Sequence, residues 1–262
     1  MSPPSLALET TGSGEPLVLI HGLATTRGIW SAVVPRLRRH RRVTALDVPG
    51  FGQSPPAGDG FELEAVARRI GRGLRDAGVP SPYELVGHSL GGAIALTLAA
   101  QQPADVRRLV LVAPAGLAPM PGAVVRLLGV GAGGVLRLRR SLAPLADLAW
   151  ARRVLLAFAA ADPASMSPTE ARLMLGASAS AQRTATALTT IAAADLRPLL
   201  LDAPPALGVI WGTADRTVPA RLAAKITEQR PDARVELIDG AGHVVMVERP
   251  DEFTRALLEL LA

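Results

Sequence analysis

The sequence predicts an α/β fold: a mostly parallel sheet of about seven to eight strands flanked by helices, with one helical cap inserted in the second half of the chain. Three observations carry this. Short apolar runs closed by Gly, Pro or Asp alternate with segments of helical pattern along most of the 262 residues. Those runs are apolar almost throughout rather than at every second position, the pattern of strands covered on both faces. The alternation stops between about residues 116 and 203, where Ala, Leu and Arg dominate and no strand is predicted.

Taken in order, the strand-like runs are "PLVLIHG" from Pro16, "RVTALDV" from Arg42, "YELVGHS" from Tyr83, "RRLVLVAPAG" from Arg107, "PALGVIWG" from Pro205 and "RVELIDGAG" from Arg234. Between them the spacing predicts helices near 27–39, 61–77, 90–101, 218–229 and 251–261. Pro219 and Pro250 stand near the first turns of the last two, where a missing N–H costs nothing. The core domain is expected over 1–116 and 204–262, with a helical cap over 117–203. Such an insertion is expected above the carboxyl ends of the strands, where sheets of this kind build their sites.

Composition narrows the function classes. Nearly half the residues are apolar (49%) but only 3% are aromatic, so Leu, Val, Ile and Ala must build the core. With no cysteine, disulfides and thiolate chemistry are excluded. No signal peptide and no span of roughly 20 apolar residues is read, so no transmembrane segment and a cytoplasmic location are expected. The net charge is +5, and Lys225 is the only lysine among 28 basic residues. Without a recognition motif beside the charge, nucleic acid is not an expected partner. From Leu117 to Leu200 the chain carries nine Arg against four acids, so this segment holds the whole excess. Oligomeric state is not encoded in any motif.

One stretch joins strand pattern to helix pattern through a serine: "ELVGHSLGG", in which Gly87-His88-Ser89-Leu90-Gly91 fits G-x-S-x-G. Such a serine sits on a tight strand-to-helix turn with its hydroxyl exposed, and small residues are needed where the two elements nearly touch. A serine hydroxyl is nearly inert at neutral pH, so it needs a base and a group to orient that base. Of four histidines, His243 follows the last strand in "DGAGHVVMVERP" and is the expected base. His21 opens a Gly-containing loop and is read as a structural hydrogen-bonding residue, His88 belongs to the turn itself, and His40 lies in the charged run "RLRRHRR".

Asp215, in "GVIWGTADRTVP", follows a strand and is the expected orienting carboxylate. Asp239 and Asp202 compete, the first as a turn former and the second in a linker-like stretch. The chain order Ser89, Asp215, His243 is that of one known triad family. Two donors are expected for the developing oxyanion, the main-chain N–H groups of Leu90 and of Leu23.

The five segments "HGLATTRGIW", "LDVPGFGQS", "GHSLGG", "WGTADRTVP" and "GAGHVVMVERP" together resemble the α/β-hydrolase fold superfamily in order and spacing, over all of the chain outside the insertion. In that family the segment like Asp47 to Ser54 is a structural turn, so neither Asp47 nor Ser54 is assigned to catalysis. The lead-in of 20 residues before His21 is short for the family, which implies a missing first edge strand and seven strands rather than eight.

The resemblance and the triad together imply a serine hydrolase acting on a carboxylic ester or related acyl bond through an acyl-enzyme, without metal or organic cofactor. Thioesters, lactones, C–C bonds and cofactor-free perhydrolysis remain alternatives with the same triad, and a non-catalytic binding or peripheral membrane module is an alternative of another class. Serine disfavours the relatives that use an aspartate nucleophile, and the lack of lysine over 117–200 disfavours those that need one in the lid. The substrate-binding residues are not assigned. The apolar residues of the insertion, among them Leu127, Leu136, Trp150 and Phe158, are expected either to line an acyl pocket or to form the buried faces of lid helices. Arg137, Arg139, Arg140, Arg152 and Arg153 form an Arg-rich face that is either simply solvated or attracts an anionic group, an acidic carrier protein or a membrane surface. The expected partner is a small-molecule acyl substrate, aliphatic or carrier-bound.

Overall fold

Alternating residues of the central strands go to opposite apolar layers. Val18 and Ile20 join one, Leu17 and Leu19 the other; Leu109 and Leu111 face one, Val110 and Val112 the other. This is why the runs read as continuously apolar: each strand has two faces and no water on either. The computed structural model describes residues 6–175, 181–204 and 206–262.

Seven strands form one sheet: β1 (Leu8–Thr11), β2 (Pro16–Ile20), β3 (Arg42–Leu46), β4 (Tyr83–His88), β5 (Val106–Val112), β6 (Ala206–Gly212) and β7 (Arg234–Ile238). Their order is β1-β3-β2-β4-β5-β6-β7, parallel throughout except that β1 runs antiparallel to β3, pairing Leu8 with Leu46. Six strands coincide with the predicted runs, apart from Pro205, which lies outside the described residues. β1 was not predicted; its sequence Leu-Glu-Thr-Thr is too short and too polar to stand out, and only the edge of β3 makes it a strand.

The helices are α1 (Val34–Leu37), α2 (Leu63–Asp76), α3 (Leu90–Gln101), α4 (Gly122–Ser141), α5 (Ala149–Leu155), α6 (Pro168–Leu175), α7 (Ala181–Ala193), α8 (Ala223–Thr227), α9 (Val245–Glu248) and α10 (Pro250–Leu260). On one face of the sheet lie Val66 and Ile70 of α2, Ile94 and Leu98 of α3 and Ile226 of α8. On the other lie Leu37 of α1 and Phe253 and Leu257 of α10, with Trp30 and Phe253 rings 6.1 Å apart.

The single helix expected over 27–39 is a 3₁₀ turn at Arg27–Trp30 followed by α1, because Thr26 caps the turn and Pro35 starts a new one. Between β5 and β6 the described chain is helical, and no described strand interrupts it. No helix among the described residues is long and apolar enough to cross a membrane.

The apolar residues of this helical segment divide between surface and interior. Leu127, Trp150 and Phe158 are exposed, whereas Leu156 is buried. The side chain of Leu136 lies outside the described residues. Helical periodicity marks apolar faces but cannot say which of them a neighbour covers. Arg152 departs from the expected surface: it is buried, and its guanidinium donates to the carbonyls of Ala146 (2.8 Å), Asp147 (3.1 Å) and Ala164 (2.8 Å). It clasps the segment from within, while Arg137, Arg140 and Arg153 are exposed.

Candidate active site

Ser89 joins β4 to α3 with φ 54° and ψ −117°, a conformation that a residue with a side chain rarely adopts. Such a residue costs about 1–3 kcal/mol and persists only where neighbours impose it. Here they do: Ser89 N–H donates to Val112 O at 2.9 Å, and Ser89 O accepts from Gly92 N at 2.9 Å and Ala115 N at 3.2 Å. The end of β5 thus grips the turn from both sides. A Cβ on Gly87 would stand 2.2 Å from Gly91 O, and one on Gly91 would stand 2.4 Å from both Ile20 O and His21 O. Strand, helix and the end of β2 therefore meet backbone to backbone, and the 87 and 91 positions admit no side chain.

The loop after β2 closes over this turn. A Cβ on Gly22 would stand 2.8 Å from His88 Nδ1 and 3.1 Å from Ser89 Cβ, so the loop that carries Leu23 packs directly on the Ser89 turn. Leu23 is half-buried and Leu90 is buried at the first turn of α3.

His21 holds the loop. Its Nε2 accepts from Val48 N at 2.9 Å, so Nδ1 carries the proton and donates to Gly22 O at 2.8 Å. Full burial pushes its pKa down from 6.5 to about 4, against the opposing effects of the Gly22 bond and the Asp47 charge. The segment from Asp47 to Ser54 is structural in its bonding: the Asp47 carboxylate accepts from the amides of Arg27 (2.8 Å) and Gln53 (3.0 Å) and pairs with the Arg27 guanidinium, and Ser54 Oγ accepts from Ala7 N at 2.9 Å.

Asp215 and His243 meet across the ends of β6 and β7. The two strands are in register, with Gly212 opposite Ile238, so the loops leaving them run side by side. Ala214 N donates to Ala241 O and Thr213 N to Ile238 O, locking one loop on the other. His243 Nδ1 lies 2.7 Å from Asp215 Oδ2, and Asp215 Oδ1 accepts from Thr217 N and Val218 N, each at 2.8 Å. With Nδ1–H committed to the carboxylate, Nε2 is the nitrogen free to accept a proton. Both side chains are almost fully buried. Asp239 instead accepts from Thr213 Oγ1 at 3.0 Å and shapes the paired turns, and Asp202 is exposed. Among the described residues the Ser89 hydroxyl has no hydrogen-bond partner.

Two further residues shape this corner. His88 Nε2 donates to His243 O at 2.9 Å and the two rings lie 4.7 Å apart. Burial, and then the neighbouring His243, push the His88 pKa well below the ordinary 6.5, so it stays neutral. Glu248 accepts from Gly242 N (3.0 Å) and Ala161 N (2.7 Å), tying the His243 loop to the helical segment; burial raises its pKa. No sequence signal marks Glu248, because its partners lie 6 and 87 residues away. No group of three or more His, Asp or Glu placed to hold a metal is found among the described residues. A cavity of about 470 Å³ lies beside β1 and β3, lined by Glu9, Arg27, Ser31 and Gln53 among others and not by Ser89.

These features define an α/β protein with a mostly parallel seven-stranded sheet flanked by helices. Residues 15–250 match the family model described as the alpha/beta hydrolase fold. The chain is 33% identical to a pimeloyl-[acyl-carrier protein] methyl ester esterase of Methylococcus capsulatus over 98% of both chains. It is 30% identical to a 2-hydroxy-6-oxo-6-phenylhexa-2,4-dienoate hydrolase of Burkholderia cepacia over 97% of this chain and 90% of that protein. The solved structure of a thermophilic esterase from Thermogutta terrifontis superposes with a TM-score of 0.78 at 25% identity, covering 98% of this chain and 92% of that one. The chain therefore belongs to the alpha/beta hydrolase fold family. It is a hydrolase, as these relatives are.

Proposed function

We propose that this chain is a serine hydrolase of carboxylic esters, with Ser89 as nucleophile, His243 as base and Asp215 as the group that orients it. The observation that carries the reading is the 2.7 Å Asp215–His243 pair on loops at the same sheet end as the strained Ser89 turn. In this mechanism His243 Nε2 takes the hydroxyl proton as Ser89 Oγ bonds to the ester carbonyl carbon. The carbonyl oxygen becomes an alkoxide facing the N–H groups of Leu23 and Leu90. Collapse of the tetrahedral adduct breaks the C–O bond, and His243 returns the proton to the departing alcohol. Water then attacks the acyl-enzyme by the same proton path and releases the acid. Each oxyanion donor is worth on the order of 10²–10³ in rate.

In this reading residues 117–203 form a helical cap over a core of 1–116 and 204–262, and the enzyme works in the cytoplasm on an aliphatic or carrier-bound acyl substrate. The full-length likeness to the carrier-protein methyl ester esterase supports an ester of that kind. The likeness to the dienoate hydrolase makes C–C cleavage the reaction to be excluded.

The test is a screen of methyl and aryl esters, thioesters, lactones and a vinylogous 1,5-diketone of graded acyl length against the wild type and Ser89→Ala. The expected result is ester turnover that falls on the order of 10⁵-fold or more in Ser89→Ala, with fluorophosphonate labelling lost in parallel. Persistent turnover or labelling in Ser89→Ala overturns the nucleophile. Faster cleavage of the diketone than of any ester overturns the substrate class.

A further inference from the structure

α4 has two apolar faces, and among the described residues only one of them has a partner. Val125 and Leu128 lie on the side that faces α7, and they are half-buried. On the opposite side Val124, Leu127, Val130, Val135 and Leu138 are all exposed, Leu127 by 73% and Val130 by 86%. At ~100° per residue these five and Gly131 and Gly134 fill an arc of about 140°. No described residue stands within 4 Å of the Cβ directions of the two glycines, so the stripe is open where they lie.

The borders of this stripe differ. One is the contact with α7; the other is a row of three exposed arginines, Arg126, Arg137 and Arg140, and the helix contains no acidic residue. On α5, Trp150 and Val154, one turn apart, are exposed by 62% and 68%. An apolar stripe this wide on a soluble surface marks a contact, since isolated exposed apolar residues need no explanation but a continuous face does.

The geometry points to an anionic phospholipid surface as the occupant, with α4 lying in the headgroup layer. The centre of the exposed face is apolar and the cations run along its border, the arrangement in which apolar side chains enter the acyl boundary while arginines reach phosphates at the side. A partner recognised chiefly through its acidic residues would need the arginines at the centre. The inference is independent of the catalytic reading, because none of these side chains takes part in the proposed chemistry.

The test is co-sedimentation of the full chain with vesicles of phosphatidylcholine alone or mixed with phosphatidylglycerol, in low and high salt. Leu127→Gln/Leu138→Gln removes the apolar centre without adding charge, and Arg126→Gln/Arg137→Gln/Arg140→Gln removes the border. The wild type is expected to pellet with the anionic vesicles and to be released by salt. The leucine variant should bind at least about tenfold more weakly, and the arginine variant about fivefold more weakly per arginine removed. Circular dichroism and the urea midpoint, unchanged in both variants, verify the fold. Absence of wild-type binding to anionic vesicles, or equal binding by the leucine variant, overturns the proposal. A dimer in light scattering that the leucine substitutions dissociate, or binding to an acidic acyl carrier protein, each without vesicle binding, overturns it in favour of that occupant.

Discussion

His88 Nε2 donates to the main-chain carbonyl of His243 across 2.9 Å, so the residue before the proposed nucleophile anchors the residue proposed as its base. The bond spans 155 positions and joins β4 to the loop after β7. Because burial keeps His88 neutral, it holds the loop as a donor and adds no charge to compete with His243 for a proton. His88→Phe removes the donor while keeping a ring. Loss of one such bond corresponds to about a tenfold decrease in kcat with little change in KM. His88→Gln, which restores an N–H donor, should recover part of the loss; equal loss in both variants would assign His88 to packing alone.

Asp215→Asn should leave the fold in place and lower kcat on the order of 10³–10⁴-fold. The Asn oxygen can still accept from Thr217 N and Val218 N, which places its amide nitrogen opposite His243 Nδ1. The ring must then accept at Nδ1 and carry its proton on Nε2, where a base needs a lone pair. Steady-state kinetics with circular dichroism as the fold control measure this.

His21 makes stability depend on pH in a defined direction. Its pKa is about 4 folded against 6.5 when free, so between those values the unfolded chain binds a proton that the folded chain does not. Stability is therefore complete above pH 6.5 and is lost as the pH falls toward 4, by about 3 kcal/mol over the whole window. The physical cause is burial, which disfavours the charged imidazolium in the folded chain. Urea unfolding at pH 8 and pH 5 should show the loss, and His21→Gln should reduce it, leaving the share that buried His88 contributes in the same direction.

Gly91→Ala tests the backbone contact at the turn. The added methyl would lie 2.4 Å from the carbonyl oxygens of both Ile20 and His21, neither of which can move without breaking the end of β2. The expected cost is about 3 kcal/mol or more, read as a lowered urea midpoint. A midpoint unchanged from the wild type would show that the helix can pull back from the strand.

The central strands and α3 were legible because their information is local. A strand covered on both faces is apolar throughout, and α3 runs over the expected 90–101 because Ser89 marks its start. Elements made by neighbours were not legible. β1 exists only because β3 offers it an edge, and α9 occupies a stretch where the spacing predicts no helix.

The sequence by itself determined the alternation of strands and helices, the place of the helical insertion and the chain order of Ser89, Asp215 and His243, since each is written in composition and spacing along one segment. Only the tertiary structure decided that Asp215 and His243 touch, because their 2.7 Å separation depends on β6 and β7 pairing in register. It alone decided that His88 and Glu248 hold the His243 loop and that one apolar face of α4 is left open. Contacts across 28 to 155 residues arise from how elements pack, and no local pattern carries that information.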